Sequence, residues 1–264
     1  MKLGINTNVY SEYPIQSFIP RISEMGYEGI EIARTHPIHE WGNEELKGLQ
    51  KKLSEYGIEA YCIQGGTPYT DLAYAKNRID LAHAIGCPLV NLGPGLGFEK
   101  ESDRGRVWEE SSNAISELID YARDRGVACM IEPEPRLPLS AKRPLITTYR
   151  DALRMLNETK AGDLGVLLDV IHVNVSRESL PHVIKTFGKK IRLVHISDAV
   201  DRRNYHFVPG KGDLNFEAFL KMLKRAGYEG FLSVEVYPYF DEPDRAAFES
   251  MEYLTNLMYA VESR

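Results

Sequence analysis

Short apolar runs alternate along the chain with longer amphipathic segments. The runs are rich in Val, Ile and Leu, as expected of strands that are buried on both faces of a parallel sheet. Eight of them are present, with the sequences KLGIN, GIEIA, IEAYCIQ, CPLVNLG, VACMIE, GVLLDVIHV, KKIRLVHIS and GFLSVEV. The segments between them place apolar residues three and four positions apart, which is the spacing of an amphipathic helix. The pattern predicts an α/β fold in which strands and helices alternate.

A glycine separates most of the helical segments from the apolar run that follows. Glycine is favoured just past a helix end because it adopts a positive φ without steric cost. The six glycines are Gly26, Gly57, Gly86, Gly126, Gly188 and Gly227. The same junction occurs as EMGYEGIEI near the start of the chain and as RAGYEGFLSVEV near its end. This weak internal repeat supports a fold made of consecutive βα units.

The number of units favours a closed barrel. Eight units in 264 residues leave about 33 residues for each, the size of one βα unit. No linker rich in Pro, Ser or Gly divides the chain, so we expect residues 1–264 to form a single domain, a (β/α)8 TIM barrel. A doubly wound open sheet is the alternative, but the opening strand is not followed by the G-x-G-x-x-G sequence of dinucleotide-binding folds.

Composition and charge exclude several classes of protein. The chain is 43% hydrophobic and 27% charged, and its 38 acidic and 32 basic residues give a net charge of −6. This balance, without a run of Lys or Arg, argues against a nucleic-acid-binding protein. Nor does the sequence contain an apolar stretch long enough to span a membrane or an N-terminal signal sequence, so we expect a cytoplasmic protein. Its three cysteines lie in separate apolar runs and predict no disulfide framework.

Four of the later strand candidates each carry a side chain of a metal-binding type near their C-terminal end. They are Glu132, Asp169, His195 and Glu235. A barrel places its active site at this end of its strands. Burying an unpaired carboxylate costs several kcal/mol, and a bound cation is a common way to offset that cost. Three carboxylates and an imidazole suit Mn²⁺, Co²⁺, Mg²⁺ or Fe²⁺ better than a structural zinc ion.

A further histidine lies three residues after Asp169. His172 could ligate the same ion or could hydrogen-bond the substrate, and we favour the second role.

The sequence HISD followed by PGKGDLNFEAFLKMLKRAGYEGFLSVE resembles the most specific part of a known family pattern. The family is the sugar phosphate isomerase/epimerase superfamily of xylose isomerase-like TIM barrels, which includes D-tagatose 3-epimerase-like enzymes. The resemblance extends over essentially the whole chain. It implies that Glu132, Asp169, His195 and Glu235 bind one divalent metal ion, with Mn²⁺ as the expected ion, and that Glu132 and Glu235 also act as the acid/base pair.

The same resemblance implies that the substrate contacts His172 and an arginine after the seventh strand. Either Arg202 or Arg203 could fill that position, and we favour Arg202. His206 lies in the same loop region and is a further candidate for substrate binding.

The expected activity is a metal-dependent isomerisation or epimerisation of a ketose-type sugar or sugar phosphate through an enediolate. One carboxylate would remove the proton next to the carbonyl, and the other would return one. A lyase or dehydratase acting on a keto-inositol or keto-sugar is the alternative, because it begins with the same proton abstraction. Members of this superfamily commonly form dimers or tetramers, so we expect a homo-oligomer.

Two further questions depend on loop residues. A phosphodiesterase of the endonuclease IV type is less consistent with the sequence, because its metal cluster would require histidines where this chain has Gln64 and Asn91. Any phosphate on the substrate has a local candidate site in the backbone N–H groups of Gly210, Lys211 and Gly212, although we slightly favour a solvated surface position for Lys211.

Overall fold

A computed structural model of the protein describes residues 1–65, 71–136, 142–159 and 162–263. Within these ranges the fold is built on eight parallel strands. Their bounds are β1 (Lys2–Asn6), β2 (Gly29–Ile32), β3 (Glu59–Gln64), β4 (Leu89–Asn91), β5 (Ala128–Ile131), β6 (Gly165–Asp169), β7 (Ile191–Ile196) and β8 (Phe231–Val234). Each strand pairs with the next along the chain, and β8 pairs with β1, so the sheet closes. The predicted (β/α)8 TIM barrel is confirmed.

Nine α-helices lie between or after the strands in the described part of the chain. Their bounds are α1 (Ile15–Glu24), α2 (Asn43–Glu55), α3 (Leu72–Ile85), α4 (Arg104–Arg123), α5 (Tyr149–Glu158), α6 (Val170–Val175), α7 (Leu180–Phe187), α8 (Phe216–Arg225) and α9 (Pro243–Glu262). None of these helices combines the length and the apolar character needed to cross a membrane.

The glycine junctions predicted from the sequence are present. All six glycines have a positive φ, between 46° and 97°. Gly86 is representative: it follows α3 in the left-handed conformation at φ 74°, and its N–H donates to the last turn of the helix. A side chain would be strained in this conformation, so glycine ends the helix and directs the chain into β4.

The sixth apolar run differs from its prediction. GVLLDVIHV reads as one strand, but β6 ends at Asp169 and α6 begins at the next residue. The cause is Asp169 itself, because its Oδ1 accepts hydrogen bonds from the N–H groups of Ile171 (2.6 Å) and His172 (3.0 Å) and so caps the helix. The cap places His172 in the first turn of α6, next to the end of the barrel.

Aromatic side chains fill the interior of the barrel beneath the C-terminal ends of the strands. Tyr61 stacks on Phe231 with ring centroids 4.1 Å apart. Gly4 and Gly29 leave room for the Tyr61 ring, since a Cβ on either would overlap it. The Tyr61 hydroxyl donates to Ser233 Oγ (2.7 Å), which in turn donates to Glu31 Oε2 (2.7 Å). A buried chain of hydrogen bonds therefore runs from the packed interior to the C-terminal end of the strands.

Candidate active site

Four consecutive strands bring the predicted metal-binding side chains together at the C-terminal end of the barrel. Asp169 is the last residue of β6 and is paired in register with His195 of β7, while Glu132 and Glu235 directly follow β5 and β8. Each of the four offers one ligand atom, and these atoms all lie within 4.8 Å of one another. We refer to Glu132, Asp169, His195 and Glu235 as the quartet.

His195 lies at the centre of the quartet. Its Nδ1 is 3.0 Å from Glu235 Oε2, 3.4 Å from Glu132 Oε1 and 3.7 Å from Asp169 Oδ2. Its other ring nitrogen, Nε2, is 2.8 Å from Glu31 Oε2. If Nε2 carries the proton for Glu31, the Nδ1 lone pair faces three carboxylates, which is favourable only when a cation lies between them.

Burial makes this arrangement costly without a cation. Asp169 and His195 are fully buried, and Asp169 Oδ2 and His195 Nδ1 have no hydrogen-bond partner among the described residues. Unsatisfied buried polar atoms of this kind are rare. Carboxylate oxygens and an imidazole nitrogen that converge on one point form a donor set typical of a divalent transition metal, so the residues fit the metal that the sequence predicts.

The electrostatics of the quartet show the same need for positive charge. Burial alone would lower the pKa of His195, but the carboxylates of Glu235, Glu31 and Glu132 outweigh burial and hold it well above its ordinary value. Burial likewise opposes ionisation of Asp169, yet the neighbouring histidines lower the pKa of its carboxyl group. The site thus attracts a positive charge and keeps the carboxylate of Asp169 ionised.

Amide side chains position the two glutamates. Glu235 Oε1 accepts from Asn6 Nδ2 (3.1 Å) and Gln64 Nε2 (3.2 Å), and Glu132 Oε2 accepts from Asn91 Nδ2 (2.7 Å). The side chains of Glu132 and Glu235 are 12% and 11% exposed, so both reach solvent or a ligand in the cavity above. Neutral amide donors hold each carboxylate in place without supplying the counter-charge that an Arg or Lys would supply.

His172 and His206 flank the quartet. His172 Nδ1 is 2.9 Å from the backbone oxygen of Pro133, and His206 Nδ1 is 3.1 Å from Ser197 Oγ. Their ring centroids are 5.9 Å apart, and His206 also stacks on Tyr237. The buried Nε2 of His206 lacks a hydrogen-bond partner among the described residues.

Together with Asp169, the two histidines form a second set of ligand-type atoms within 4.8 Å of one another. Because Asp169 belongs to both sets, His172 and His206 are part of the same site.

A cavity of 360 Å³ opens above the quartet. Its described lining includes Glu132, Glu235 and His172 from the predicted set, and also Arg34, Glu134 and Tyr237, for which the sequence indicated no specific role. Arg34 follows the end of β2, and Glu134 lies two residues after Glu132. Burial, with the nearby Glu132, raises the pKa of Glu134. The only sequence signal for either residue is its position just beyond the C-terminal end of a strand.

Arg202 and Arg203 are not brought to this cavity. Both are exposed in the loop that follows β7, and neither belongs to the described lining. Asp201 and Arg202 both have a positive φ of 55°, so the backbone turns tightly at this point of the loop. The contact of Arg202 with substrate that the family resemblance implies therefore stays a prediction.

A closed (β/α)8 barrel with metal-binding side chains at the C-terminal ends of its strands defines a structural class of proteins, and the sequence matches a family model of that class. Residues 19–257 match the family model described as "Xylose isomerase-like TIM barrel". The chain belongs to this family.

Relatives with named activities are similar to this chain over most of its length. The chain is 24% identical over 275 residues to the fructoselysine 3-epimerase of Escherichia coli, with 98% of each chain covered. It is 22% identical to the D-psicose 3-epimerase of Agrobacterium fabrum, covering 83% of this chain and 78% of that one. Its fold is similar to a crystal structure of D-psicose 3-epimerase with D-tagatose from Clostridium cellulolyticum, with a TM-score of 0.82, 18% identity, and 97% and 99% of the two chains covered. The relatives are thus enzymes that epimerise sugars.

Proposed function

We propose that the protein is a divalent-metal-dependent epimerase or isomerase of a ketose-type sugar. The observation that carries the proposal is the quartet, in which two glutamates of similar, slight exposure face one cavity beside a buried aspartate and histidine. A 3-epimerase is the most specific activity that the names of its relatives support.

The quartet would hold one divalent ion, with Mn²⁺ as the ion we expect. When bound, this ion would polarise the carbonyl and the adjacent hydroxyl of the sugar and stabilise the negative charge that develops as the intervening C–H is deprotonated.

The chain's own residues divide the remaining tasks. One of the two glutamates removes the proton from the carbon next to the carbonyl, and the other returns a proton. Return to the opposite face of the same carbon inverts it, and return to the neighbouring carbon interconverts aldose and ketose. Burial and the facing His195 shift the pKa of Glu235 in opposite directions, and its net lowering keeps this carboxylate ionised as a base. Asn6, Gln64 and Asn91 keep the two glutamates aimed into the cavity.

His172 and His206 are the proposed substrate-binding imidazoles. His172 Nδ1 lies at hydrogen-bond distance from a backbone oxygen, so its Nε2 is the nitrogen available to a sugar hydroxyl. His206 is fully buried and lies outside the described lining of the cavity, so its contact with substrate stays a prediction. Gln64 and Asn91 occupy positions where an endonuclease IV-type metal cluster would require histidines. Both instead contact the acid/base pair, which favours sugar chemistry over phosphodiester hydrolysis.

The test is deuterium incorporation from D₂O. The metal-free protein, reloaded with Mn²⁺, is incubated with a panel of ketoses, aldoses and keto-inositols, and proton NMR is recorded after chelation of the metal. We expect metal-dependent loss of the proton next to the carbonyl, with the product distinguishing epimerase, isomerase and dehydratase. Glu235→Gln and Glu132→Gln should abolish exchange while the far-ultraviolet circular dichroism is retained. Glu229→Gln, which removes an exposed carboxylate before β8 at the opposite end of the barrel, is the matched control. Normal exchange in either active-site variant would refute the assignment.

A further inference from the structure

The loop that follows β7 contains backbone N–H groups suited to a phosphate, but a protein carboxylate already uses them. The N–H groups of Gly210 and Gly212 donate to Asp198 Oδ2 at 2.9 and 2.8 Å. Those of Ala199 and Leu214 donate to Asp198 Oδ1 at 2.9 and 3.2 Å. Asp198 is fully buried, so the amide donors of the PGKG sequence bind an internal anion.

Lys211 gives no alternative anion site at the cavity. Its Nζ is 3.2 Å from Glu249 Oε2, and its side chain is 58% exposed. Lys211 also lies outside the described lining of the cavity above the quartet. The phosphate-binding role that the sequence left open for this loop is therefore not supported by its geometry.

The cavity itself is rich in negative charge. Its described lining includes the carboxylates of Glu132, Glu134 and Glu235, with Asp169 buried directly beneath. Arg34 is the only cation of that described lining. With the histidines neutral, the four carboxylates exceed the charge of a divalent ion and Arg34 by one, so the field in the cavity favours a cationic group over a phosphate dianion.

Glu134 is the carboxylate that no other part of the proposed function uses. It lies outside the quartet, and no side-chain hydrogen bond or ion pair joins it to the residues that the structure describes, while His172 and Arg34 act on it electrostatically. It lines both the central cavity and an adjoining groove beside Pro94 and Gly95, whose described lining also includes Lys142. Glu134 therefore lies where a ligand that extends out of the cavity would enter the groove. A carboxylate in this position can accept a hydrogen bond from a donor group of the ligand.

We propose that Glu134 is a specificity-determining residue that binds a protonated amine on the substrate, and that the cavity selects amine-bearing ketoses over phosphorylated ones. This inference rests on the proposed function, because it names the substrate class of the same site. An ammonium group offers Glu134 a charge-assisted hydrogen bond and reduces the repulsion among the carboxylates, whereas a neutral hydroxyl offers only the hydrogen bond.

The experiment measures binding without turnover. Wild-type protein loaded with Mn²⁺ is titrated calorimetrically with three alditols, which lack the carbonyl needed for reaction: D-glucitol, 6-amino-6-deoxy-D-glucitol and D-glucitol 6-phosphate. We expect the amino-alditol to bind about tenfold more tightly than D-glucitol, the factor that roughly 1.4 kcal/mol provides, and the phosphate to bind no better than D-glucitol. Glu134→Gln, which keeps an acceptor for a hydroxyl but removes the charge, should lose most of the preference for the amine over D-glucitol.

Glu99→Gln is the matched control, because Glu99 is an exposed carboxylate in the loop after β4 and lies outside the described cavity lining. It should retain the full preference for the amine. Equal binding of the amino-alditol and D-glucitol, or tighter binding of the phosphate, would overturn the inference, as would an unchanged preference in Glu134→Gln. Deuterium exchange on a neutral ketose tests the proposed function separately, so the proposed function and the inference about Glu134 can fail independently.

Discussion

At the scale of single residues, His195 is held between Glu31 on one ring nitrogen and the carboxylates of the quartet on the other. Glu31 is fully buried and also accepts from Ser233 Oγ, so its position is defined from two directions. A carboxylate that binds the distal nitrogen of a ligating histidine orients the ring and raises its basicity. We therefore expect Glu31 to position His195 for the proposed metal site.

Substitution of Glu31 should weaken metal binding. We expect Glu31→Ala to raise the Kd for Mn²⁺ about 10- to 100-fold, because His195 loses the partner that directs Nδ1 toward the ion. Glu31→Gln retains an acceptor without the charge and should have a smaller effect. Calorimetric titration of the metal-free proteins measures these constants.

Ser233→Ala is the control, since it removes one hydrogen bond to Glu31 and leaves the contact with His195 in place. Its Kd should rise much less than that of Glu31→Ala. An unchanged Kd in a folded Glu31→Ala variant would show that Glu31 does not position His195.

Two arginines allow a comparison of the sequence prediction with the observed cavity. Arg34 lines the cavity, whereas Arg202 is exposed in the loop after β7. We expect Arg34→Ala to raise the KM for the sugar and Arg202→Ala to leave it nearly unchanged, as measured by initial rates on the substrate found by deuterium exchange. The opposite order would show that the loop brings Arg202 to the substrate, as the family resemblance implies.

At the scale of elements, the loop that follows β7 is organised around one buried carboxylate. Asp198 accepts four backbone N–H groups, and Asp198 and Phe207 also exchange backbone hydrogen bonds of 2.8 Å in both directions. This network folds the loop back so that His206 reaches the quartet, where its Nδ1 lies 3.5 Å from Glu235 Oε2. Asp198 thus supports the site without contacting it, because it holds the loop in the conformation that brings His206 to Glu235.

Loss of the Asp198 carboxylate should destabilise this loop. Asp198→Ala leaves four backbone donors without their acceptor, and we expect it to lower the free energy of unfolding by about 3 kcal/mol or more. Urea denaturation measures this change, and amide hydrogen exchange at Gly210 and Gly212 should accelerate.

Asp213→Ala provides a matched comparison in the same loop, because among the described residues Asp213 Oδ2 accepts only the N–H of Asp201, at 3.1 Å in an exposed setting. Its effect should stay below about 1 kcal/mol. If the two variants lost equal stability, Asp198 would not have the organising role described here.

At the scale of the whole molecule, closure of the barrel concentrates buried negative charge at one end. Glu31, Asp169 and His195 are fully buried, and the partly exposed Glu132 and Glu235 face them. The folded protein holds these groups together, whereas the unfolded chain separates them. A divalent ion should therefore bind the native state far more tightly than the unfolded state and stabilise it.

Metal removal should lower thermal stability. At a free Mn²⁺ concentration one hundredfold above Kd, binding contributes about 2.7 kcal/mol, which corresponds to a rise in Tm of roughly 5 to 10 °C. Differential scanning calorimetry with Mn²⁺ or with a chelator measures the shift. His195→Ala should show a much smaller difference in Tm between the two conditions. An identical Tm of the wild-type protein with Mn²⁺ and with the chelator would contradict binding of the metal by the quartet.

Much of the fold and of the candidate site could be predicted from the sequence, because both depend on local patterns. Apolar runs, helical spacing and the junction glycines each act within a few residues, and they predicted the barrel. Glu132, Asp169, His195 and Glu235 were found because strand-end residues of a parallel barrel meet at one end. The exact end of β6 was missed, because the cap that Asp169 provides competes with an apolar run that reads equally well as strand.

The sequence by itself determined the alternation of strands and helices and the four side chains of the quartet, since residue type and periodicity carry that information. Only the tertiary structure decided what surrounds them: that Glu31 supports His195, that Asp198 fills the amide cradle of PGKG, and that Arg34 and Glu134 line the cavity while Arg202 does not. These contacts join different strands and loops. Their geometry depends on the path of each loop across the end of the closed barrel, which no local pattern in the sequence encodes.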